Sequence, residues 1–109
     1  MTDFTNGQIT ETMLGFEGHG ILTCHVGLTI EGLLTGLGHY NLGQNNCFCQ
    51  EFIQQLLRVT GVNEYEKVNH KYVRVERDGN RVVGIGHITK DIWLKPKELF
   101  DTLGLGDNQ

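Results

Sequence analysis

The sequence predicts an α+β fold in which an antiparallel β-sheet of about five strands packs with one main helix and a short C-terminal helix. Three observations indicate this fold. Several segments alternate between apolar and polar residues, glycine-containing turns separate them, and one segment has apolar residues at helical spacing. Strands grouped around one central helix favour an antiparallel arrangement over parallel βαβ units. At 109 residues, we expect a single domain over residues 1–109.

The N-terminal half of the chain predicts three strands. Residues 1–7 are polar and are expected to form a flexible lead. Residues 8–16 and 21–30 alternate in polarity, and the two glycines within residues 17–20 permit the positive φ angles of a hairpin turn. Residues 33–42 are predicted to be a third strand, kinked or bulged by its two internal glycines.

The main helix is predicted over residues 47–60. Apolar residues recur there at helical spacing, at Phe48, Phe52, Leu56 and Val59. Asn45 or Asn46 can accept hydrogen bonds from the first helical amides, and Gly61 suits the left-handed position that follows a helix. The segment 62–68 is expected to be a connector with at most one helical turn.

The C-terminal half predicts a second hairpin and a short helix. Residues 70–77 and 81–88 alternate in polarity around Asp78-Gly79-Asn80, and Asp-Gly is a strong signal for a tight hairpin turn. Pro96 is favoured in a first helical turn, so a short helix is predicted over residues 97–103. Residues 91–94 are expected to bridge the last strand and this helix.

Charge is distributed unevenly along the chain. The first 57 residues contain five acidic and no basic residues, whereas the remainder contains nine basic and eight acidic residues. If the protein binds an anion, its cationic contacts must therefore come from the C-terminal half. Backbone amides of the glycine-rich N-terminal half could add to them.

Composition argues against several classes of function. No apolar stretch is long enough to span a membrane, and no signal-peptide pattern is present, so a cytoplasmic protein is expected. The net charge of −4 disfavours a nucleic-acid polymer as partner. The chain has no serine, which excludes a serine nucleophile.

The three cysteines give little support for a metal site or for catalysis. Cys24, Cys47 and Cys49 are an odd set, and the Cys-x-Cys pair is too short for a disulfide or a zinc knuckle, so no metal site is expected. No cofactor is expected either. Cysteine–histidine catalysis stays formally open, with Cys47 or Cys49 as nucleophile and His39 or His87 as base. Buried, unreactive thiols are the commoner fate of such residues.

A further set of residues is suited to holding a ligand. The glycines of segment 36–40 would let backbone amides approach a phosphate, and Tyr40 offers a stacking face. Arg74 lies between valines, where a guanidinium binds an anion strongly. His87, Asp91 and Trp93 could add hydrogen bonds and stacking, although each also has an ordinary structural explanation.

The order of several short motifs resembles a family of small phage proteins. The match covers most of residues 14–100 and includes GHGILT at 18–23, GLGHYNL at 36–42, EFI at 51–53, VTGV at 59–62, YVRV at 72–75, GIGHI at 84–88 and DIW at 91–93. We identify the family as the phage Thoeris anti-defence sponges, which sequester cyclic ADP-ribose isomers. They intercept the immune signal of a bacterial TIR-domain enzyme without cleaving it.

The resemblance implies a homo-oligomer in the host bacterial cytoplasm, a dimer that can build into a hexamer, with ligand pockets between subunits. Some family members also hold cyclic oligonucleotides at a second site. By position and chemistry, we expect the following ligand-binding residues: Arg74 at the phosphates, Tyr40, Phe48 or Trp93 at the base, and His39, Asn45, Asn46 and Asp91 at hydroxyl and amide groups.

The chain departs from the family pattern in two places. Gly38-His39 stands where a Gly-Gly pair is expected, and the segment between Leu42 and Phe52 is shorter than the charged loop of relatives. If that loop closes over the ligand, binding strength or ligand choice differs in this chain.

The functional prediction is therefore a phage anti-defence protein that sequesters a cyclic nucleotide immune signal and is not an enzyme. Two alternatives remain open at this point. One is an anti-host or anti-CRISPR inhibitor that binds a protein partner through a clustered acidic face. The other is a small hydrolase of a nucleotide signal, which requires clustered metal ligands.

Overall fold

The protein forms an open antiparallel sheet with two helices, which confirms the predicted α+β fold; the computed structural model describes residues 2–103, apart from the side chains of His39 and Gln44. The strands lie in the order β3-β2-β1-β4-β5-β6. They are β1 (Thr2–Phe16), β2 (Leu22–Ile30), β3 (Leu33–Asn41), β4 (Tyr72–Asp78), β5 (Arg81–Gly86) and β6 (Trp93–Leu94). The helices are α1 (Asn46–Thr60) and α2 (Pro96–Thr102), and short 3₁₀ turns lie at Leu42–Gln44 and Tyr65–Lys67.

The long first strand joins the two hairpins into one sheet. Residues 8–16 pair with β2, and residues 2–8 pair with β4 on the other side. The flexible lead expected over residues 1–7 is therefore wrong for residues 2–7, which form the first part of β1. Its pairing partner β4 is distant in sequence, so the local pattern gave no sign of it. Residue 1 lies outside the described residues.

One face of the sheet packs against α1 and forms the core. The buried apolar side chains come from all six strands and both helices, and the largest fully buried ones include Phe48, Phe52, Ile9, Leu28, Leu37, Leu56, Ile85 and Leu94. On β4, Val73 and Val75 face this core, whereas Tyr72, Arg74 and Glu76 lie on the outer face. The predicted alternation of β4 is confirmed.

The ends of α1 follow the predicted capping chemistry. The side chain of Asn45 accepts a hydrogen bond from the Phe48 amide at 3.0 Å. At the other end, Gly61 adopts a left-handed φ of 72° and donates to the Arg58 carbonyl, while the Val62 amide donates to the Leu57 carbonyl. This pair of bonds is the Schellman motif, which satisfies carbonyls left without helical partners. The helix begins at residue 46, one residue earlier than predicted.

A sixth strand lies where the sequence predicted only a connecting segment. Trp93 and Leu94 pair with Gly86 and Ile85 of β5. Trp93 lies directly over Gly86. A Cβ atom on that glycine would come within 2.7 Å of the indole ring. The absence of a side chain at Gly86 thus makes room for Trp93 on the outer face.

The predicted irregularity of the third strand is also present. The register between β2 and β3 shifts so that Cys24 pairs with Tyr40 and His25 with Gly38, which leaves His39 as the extra residue of a bulge. Among the described residues, no helix is long and apolar enough to cross a membrane.

Candidate functional site

A cleft of about 500 Å³ lies between the C-terminal end of α1 and the loop that follows β5. We call it the basic cleft; it is lined by Gln54, Leu57, Arg58, Gly61, Val62, Asn63, His87, Lys90 and Ile92. Arg58 and Lys90 bring two positive charges, and none of the described lining residues carries a carboxylate. The basic cleft therefore favours an anionic ligand.

His87 contributes a hydrogen-bond donor to the basic cleft. Its Nδ1 atom accepts hydrogen bonds from the amides of Thr89 and Lys90, each at 3.1 Å. A neutral imidazole that accepts at Nδ1 carries its proton on Nε2. The Nε2 edge lies beside Gly61, 3.6 Å from the position that a Cβ atom would take there. The small residue at the end of α1 thus leaves space in front of this donor.

The helix end and the side chains act in opposite directions on an anion in the basic cleft. The C-terminal end of a helix carries about half an elementary negative charge, which disfavours an anion. Arg58 and Lys90 together supply two full positive charges. The guanidinium of Arg58 also bonds to Gln54 at 3.3 Å, one turn back along α1. The net local charge is positive, so the side chains outweigh the helix dipole.

Three of the predicted site residues come together beside the basic cleft. Arg74 donates from Nε to the His87 carbonyl and from Nη2 to the Lys90 carbonyl, both at 2.7 Å. Its guanidinium lies 4.8 Å from the ring centroid of Trp93, whose Nε1 donates to Asp91 at 3.0 Å. Arg74 thus holds the loop that bears two cleft residues. Direct phosphate binding by Arg74 stays a prediction.

A second cleft, of about 660 Å³, lies between α1, α2 and β6. We call it the acidic cleft; it is lined by Cys47, Glu51, Gln55, Asp91, Trp93, Lys95, Glu98, Leu99, Thr102 and Leu103. Its described lining contains three carboxylates and one lysine. The predicted site residues Asp91 and Trp93 therefore border a cleft whose charge repels a phosphate.

The other predicted aromatic residues, Phe48 on α1 and Tyr40 on β3, pack in the core or against it. Phe48 is fully buried and stacks on Phe100 with ring centroids 4.1 Å apart. Tyr40 is half-buried, with its ring 5.6 Å from that of Phe52. Desolvation raises the pKa of the Tyr40 hydroxyl, against a smaller opposite effect of the Arg81 charge. Stacking of either ring on a base stays a prediction.

Two more predicted residues, Asn45 and Asn46, lie at the end of α1 opposite to the basic cleft. The side chain of Asn45 caps the first turn of that helix, and Asn46 is exposed in the same turn. The side chain of His39 lies outside the described part of the structure. Contacts of these residues with a ligand stay predictions.

Sequence reasoning named neither Arg58 nor Lys90 as a site residue. The available signal was the position of all Lys and Arg residues at or after Arg58, which directed an anion to the C-terminal half. Arg58 falls within the predicted helix of residues 47–60, which by itself gives it no role in a site. Proximity of Lys90 to that turn depends on how the sheet folds back over α1, which spacing does not reveal.

Comparisons with known proteins give no relative. No protein-family model matches the chain, and no curated protein sequence or solved structure is significantly similar to it. Among the side chains that the structure describes, which exclude that of His39, no three from His, Cys, Asp or Glu are grouped so that they could hold a metal ion.

Proposed function

We propose that this protein binds and sequesters a cyclic nucleotide immune signal without cleaving it, and that the basic cleft binds the phosphates of that signal. The observation that carries the proposal is the charge of the cleft. Arg58 and Lys90 line it together with the Nε2 donor of His87, and the described lining has no carboxylate to oppose an anion.

The remaining lining of the basic cleft fits the other parts of a nucleotide. Leu57, Val62 and Ile92 offer apolar surface against which a base or the apolar face of a ribose can pack. Gln54 and Asn63 carry amide groups that can bond to hydroxyl groups. Each of these surfaces therefore matches one part of a small ligand that has phosphates, hydroxyl groups and a planar base.

The biological part of the proposal comes from the motif resemblance. We place the protein in the phage Thoeris anti-defence sponge family, acting as a homo-oligomer in the cytoplasm of the infected bacterium on a cyclic ADP-ribose isomer. Sequestration requires affinity and protein in at least stoichiometric amount. It does not require complementarity to a transition state, so a chain this small suffices.

A thermal-shift screen with cyclic ADP-ribose isomers and with cyclic di- and trinucleotides tests the proposal. A ligand at about 100 times its Kd stabilises the folded protein by about 2.7 kcal/mol, which raises Tm by several degrees in a domain of this size. We expect a shift with at least one nucleotide. The ligand released by heating should be chemically intact by mass spectrometry.

Variants then locate the site. Arg58→Gln and Lys90→Gln each remove a charged hydrogen-bond donor from the cleft and should weaken nucleotide binding by about 10- to 100-fold. Lys97→Gln is the matched control, because it removes one positive charge from an exposed position on α2. Its Kd should stay within about twofold of the parent value.

Three outcomes contradict the proposal in different ways. A shift with chemically altered ligand indicates the hydrolase alternative. Equal losses in Lys97→Gln and Lys90→Gln show that general charge, and not the basic cleft, attracts the ligand. An unchanged Tm with every nucleotide indicates the anti-host inhibitor alternative, in which the partner is a protein.

A further inference from the structure

The loop of residues 87–90 is tied at both ends to one side chain. Arg74 donates to the carbonyl of His87 at the start of the loop and to that of Lys90 at its end, at 2.7 Å in both cases. A guanidinium is planar and presents its donors in a fixed fork, so it sets the separation of the two carbonyls. The backbone of this cleft wall therefore takes its shape from Arg74.

The same loop is held from inside by the ring of His87. Nδ1 of His87 accepts from the amides of Thr89 and Lys90, and the Ile92 amide donates to the Lys90 carbonyl at 2.9 Å. The carbonyls of His87 and Lys90 thus face Arg74 while amides face the imidazole. The orientation of the His87 ring and the shape of the 87–90 loop are coupled, because a change in either one breaks hydrogen bonds that hold the other.

Arg74 is itself fixed by its surroundings on the sheet. It pairs across the ladder with Gly86, which has no side chain to compete for the space above β5. Its guanidinium lies over the ring of Trp93 at 4.8 Å, and the Trp93 indole donates to Asp91. Two short hydrogen bonds and one ring contact leave the guanidinium little rotational freedom.

From these contacts we infer that Arg74 is a positioning residue for the basic cleft: it holds the 87–90 loop so that His87 directs its Nε2 proton, and Lys90 its ammonium, at a bound phosphate. The inference rests on the proposed function of the basic cleft. It assigns Arg74 an indirect role in binding, in place of the direct phosphate contact expected from the sequence.

The first test is spectroscopic and needs no ligand. Nitrogen-15 NMR of the histidine rings should show His87 of the parent protein protonated at Nε2 and accepting at Nδ1. In Arg74→Met, we expect a mixture of tautomers and altered amide shifts at Thr89 and Lys90. Arg77→Met is the matched control, since it removes the same charge from the same strand and should leave the His87 signals unchanged.

The second test measures affinity for inorganic pyrophosphate by NMR titration. Arg74→Met should bind about tenfold more weakly than the parent protein. His87→Gln should weaken binding strongly in the parent and far less in the Arg74→Met background, because both changes disable the same loop. Arg74→Lys keeps the charge but cannot bridge both carbonyls, so it should resemble Arg74→Met and replaces it if that variant fails to fold.

The outcomes separate the inference from the proposed function. Additive losses, with unchanged His87 signals in Arg74→Met, overturn the inference and make Arg74 a direct phosphate ligand. If the parent binds neither pyrophosphate nor any nucleotide, the proposed function fails, and the ligand role inferred for Arg74 fails with it. An altered His87 tautomer in Arg74→Met would still establish the loop contact in that case.

Discussion

The two clefts border the same helix yet carry opposite charge. Glu51 lies in the second turn of α1 and lines the acidic cleft, whereas Arg58 lies in the last turn and lines the basic cleft. A helix dipole alone would attract an anion to the first end and repel it from the second. We therefore expect the full charges of the lining side chains, and not the helix dipole, to favour the basic cleft for an anion.

The clefts also differ in how their walls are held. The basic cleft takes one wall from a loop whose backbone is tied by hydrogen bonds to Arg74 and His87. The acidic cleft takes one wall from Trp93, which lies on Gly86 and meets the ring of Phe4 at 5.6 Å. One wall depends on polar contacts and the other on packing, and the two walls meet where the Arg74 guanidinium lies over the Trp93 ring.

The largest effect should follow from Gly86→Ala. The new methyl group would lie 2.7 Å from the Trp93 indole, which must move. Overpacking of this kind costs about 1–3 kcal/mol, and a more restricted unfolded chain offsets a part of it. We expect a net loss of about 1–2 kcal/mol in the free energy of unfolding, measured with urea. The emission of Trp93, the single tryptophan, should shift as well.

Gly15→Ala is the control for that substitution. Gly15 is also in a strand, and apart from its two chain neighbours no atom of the described residues lies within 4 Å of the position of its missing Cβ. It should leave the Trp93 emission unchanged and alter stability by less than about 0.5 kcal/mol. If Gly86→Ala left Trp93 fluorescence unchanged, the packing explanation for this wall of the acidic cleft would be wrong.

A smaller effect is expected at the N-terminal end of α1, where the sequence proposed two asparagines as ligand contacts. Asn45→Ala removes the cap that accepts from the Phe48 amide and should cost about 1 kcal/mol of stability. Asn46→Ala is the matched control, because Asn46 is exposed and already within the helix. Urea denaturation of both variants measures the difference.

Binding measurements on the same pair show whether the asparagines also touch a ligand. Both variants should bind nucleotide with the parent affinity, since α1 separates them from the basic cleft. A loss of affinity in Asn46→Ala without a loss of stability would restore the direct contact predicted from the sequence and count against the basic cleft as the whole site.

Local signals explain which parts of the fold the sequence could predict. The periodicity and caps of α1 lie within the helix and next to it, and they located it to within one residue. The Asp-Gly turn likewise placed the β4–β5 hairpin, in which Gly79 has a positive φ of 65°. The first part of β1 and all of β6 depend on partners elsewhere in the chain. Neither showed a local pattern that identified it as a strand.

The candidate site was less predictable for the same physical reason. The charge distribution predicted that cationic contacts to an anion come from the C-terminal half. The approach of Lys90 to Arg58, however, is a property of the folded chain. Arg74, Asp91 and Trp93 were named as separate ligand contacts, and the structure brings them together in one set of contacts beside the loop. The residue types indicated which kinds of contact these three side chains can make, but not which atoms they contact in the folded chain.

The smallest expected effect concerns the one lysine among the described residues of the acidic cleft. The Lys95 ammonium lies 3.0 Å from Oε1 of Glu76, which is on the outer sheet face, and 3.8 Å from Glu98. Desolvation raises the pKa of Glu76, but the hydrogen bonds from Lys95 and Thr2 and the charge of Lys95 outweigh it, so the pKa lies below its ordinary value of 4.5. Much of the Lys95 charge is thus neutralised outside the cleft.

The lowered pKa of Glu76 fixes the sign of a pH dependence. The contribution of ionised Glu76 to the stability of the folded state is fully present above pH 4.5. It is lost as the pH falls through the lower pKa that Glu76 has in the folded state. Glu76→Gln should therefore reduce stability by under about 1 kcal/mol at neutral pH, and its deficit should shrink as the pH is lowered towards about 3. Urea denaturation at several pH values measures this, with exposed Glu66→Gln as control. A deficit that stayed constant with pH would show that Lys95 does not pair with Glu76, and that its charge belongs to the acidic cleft.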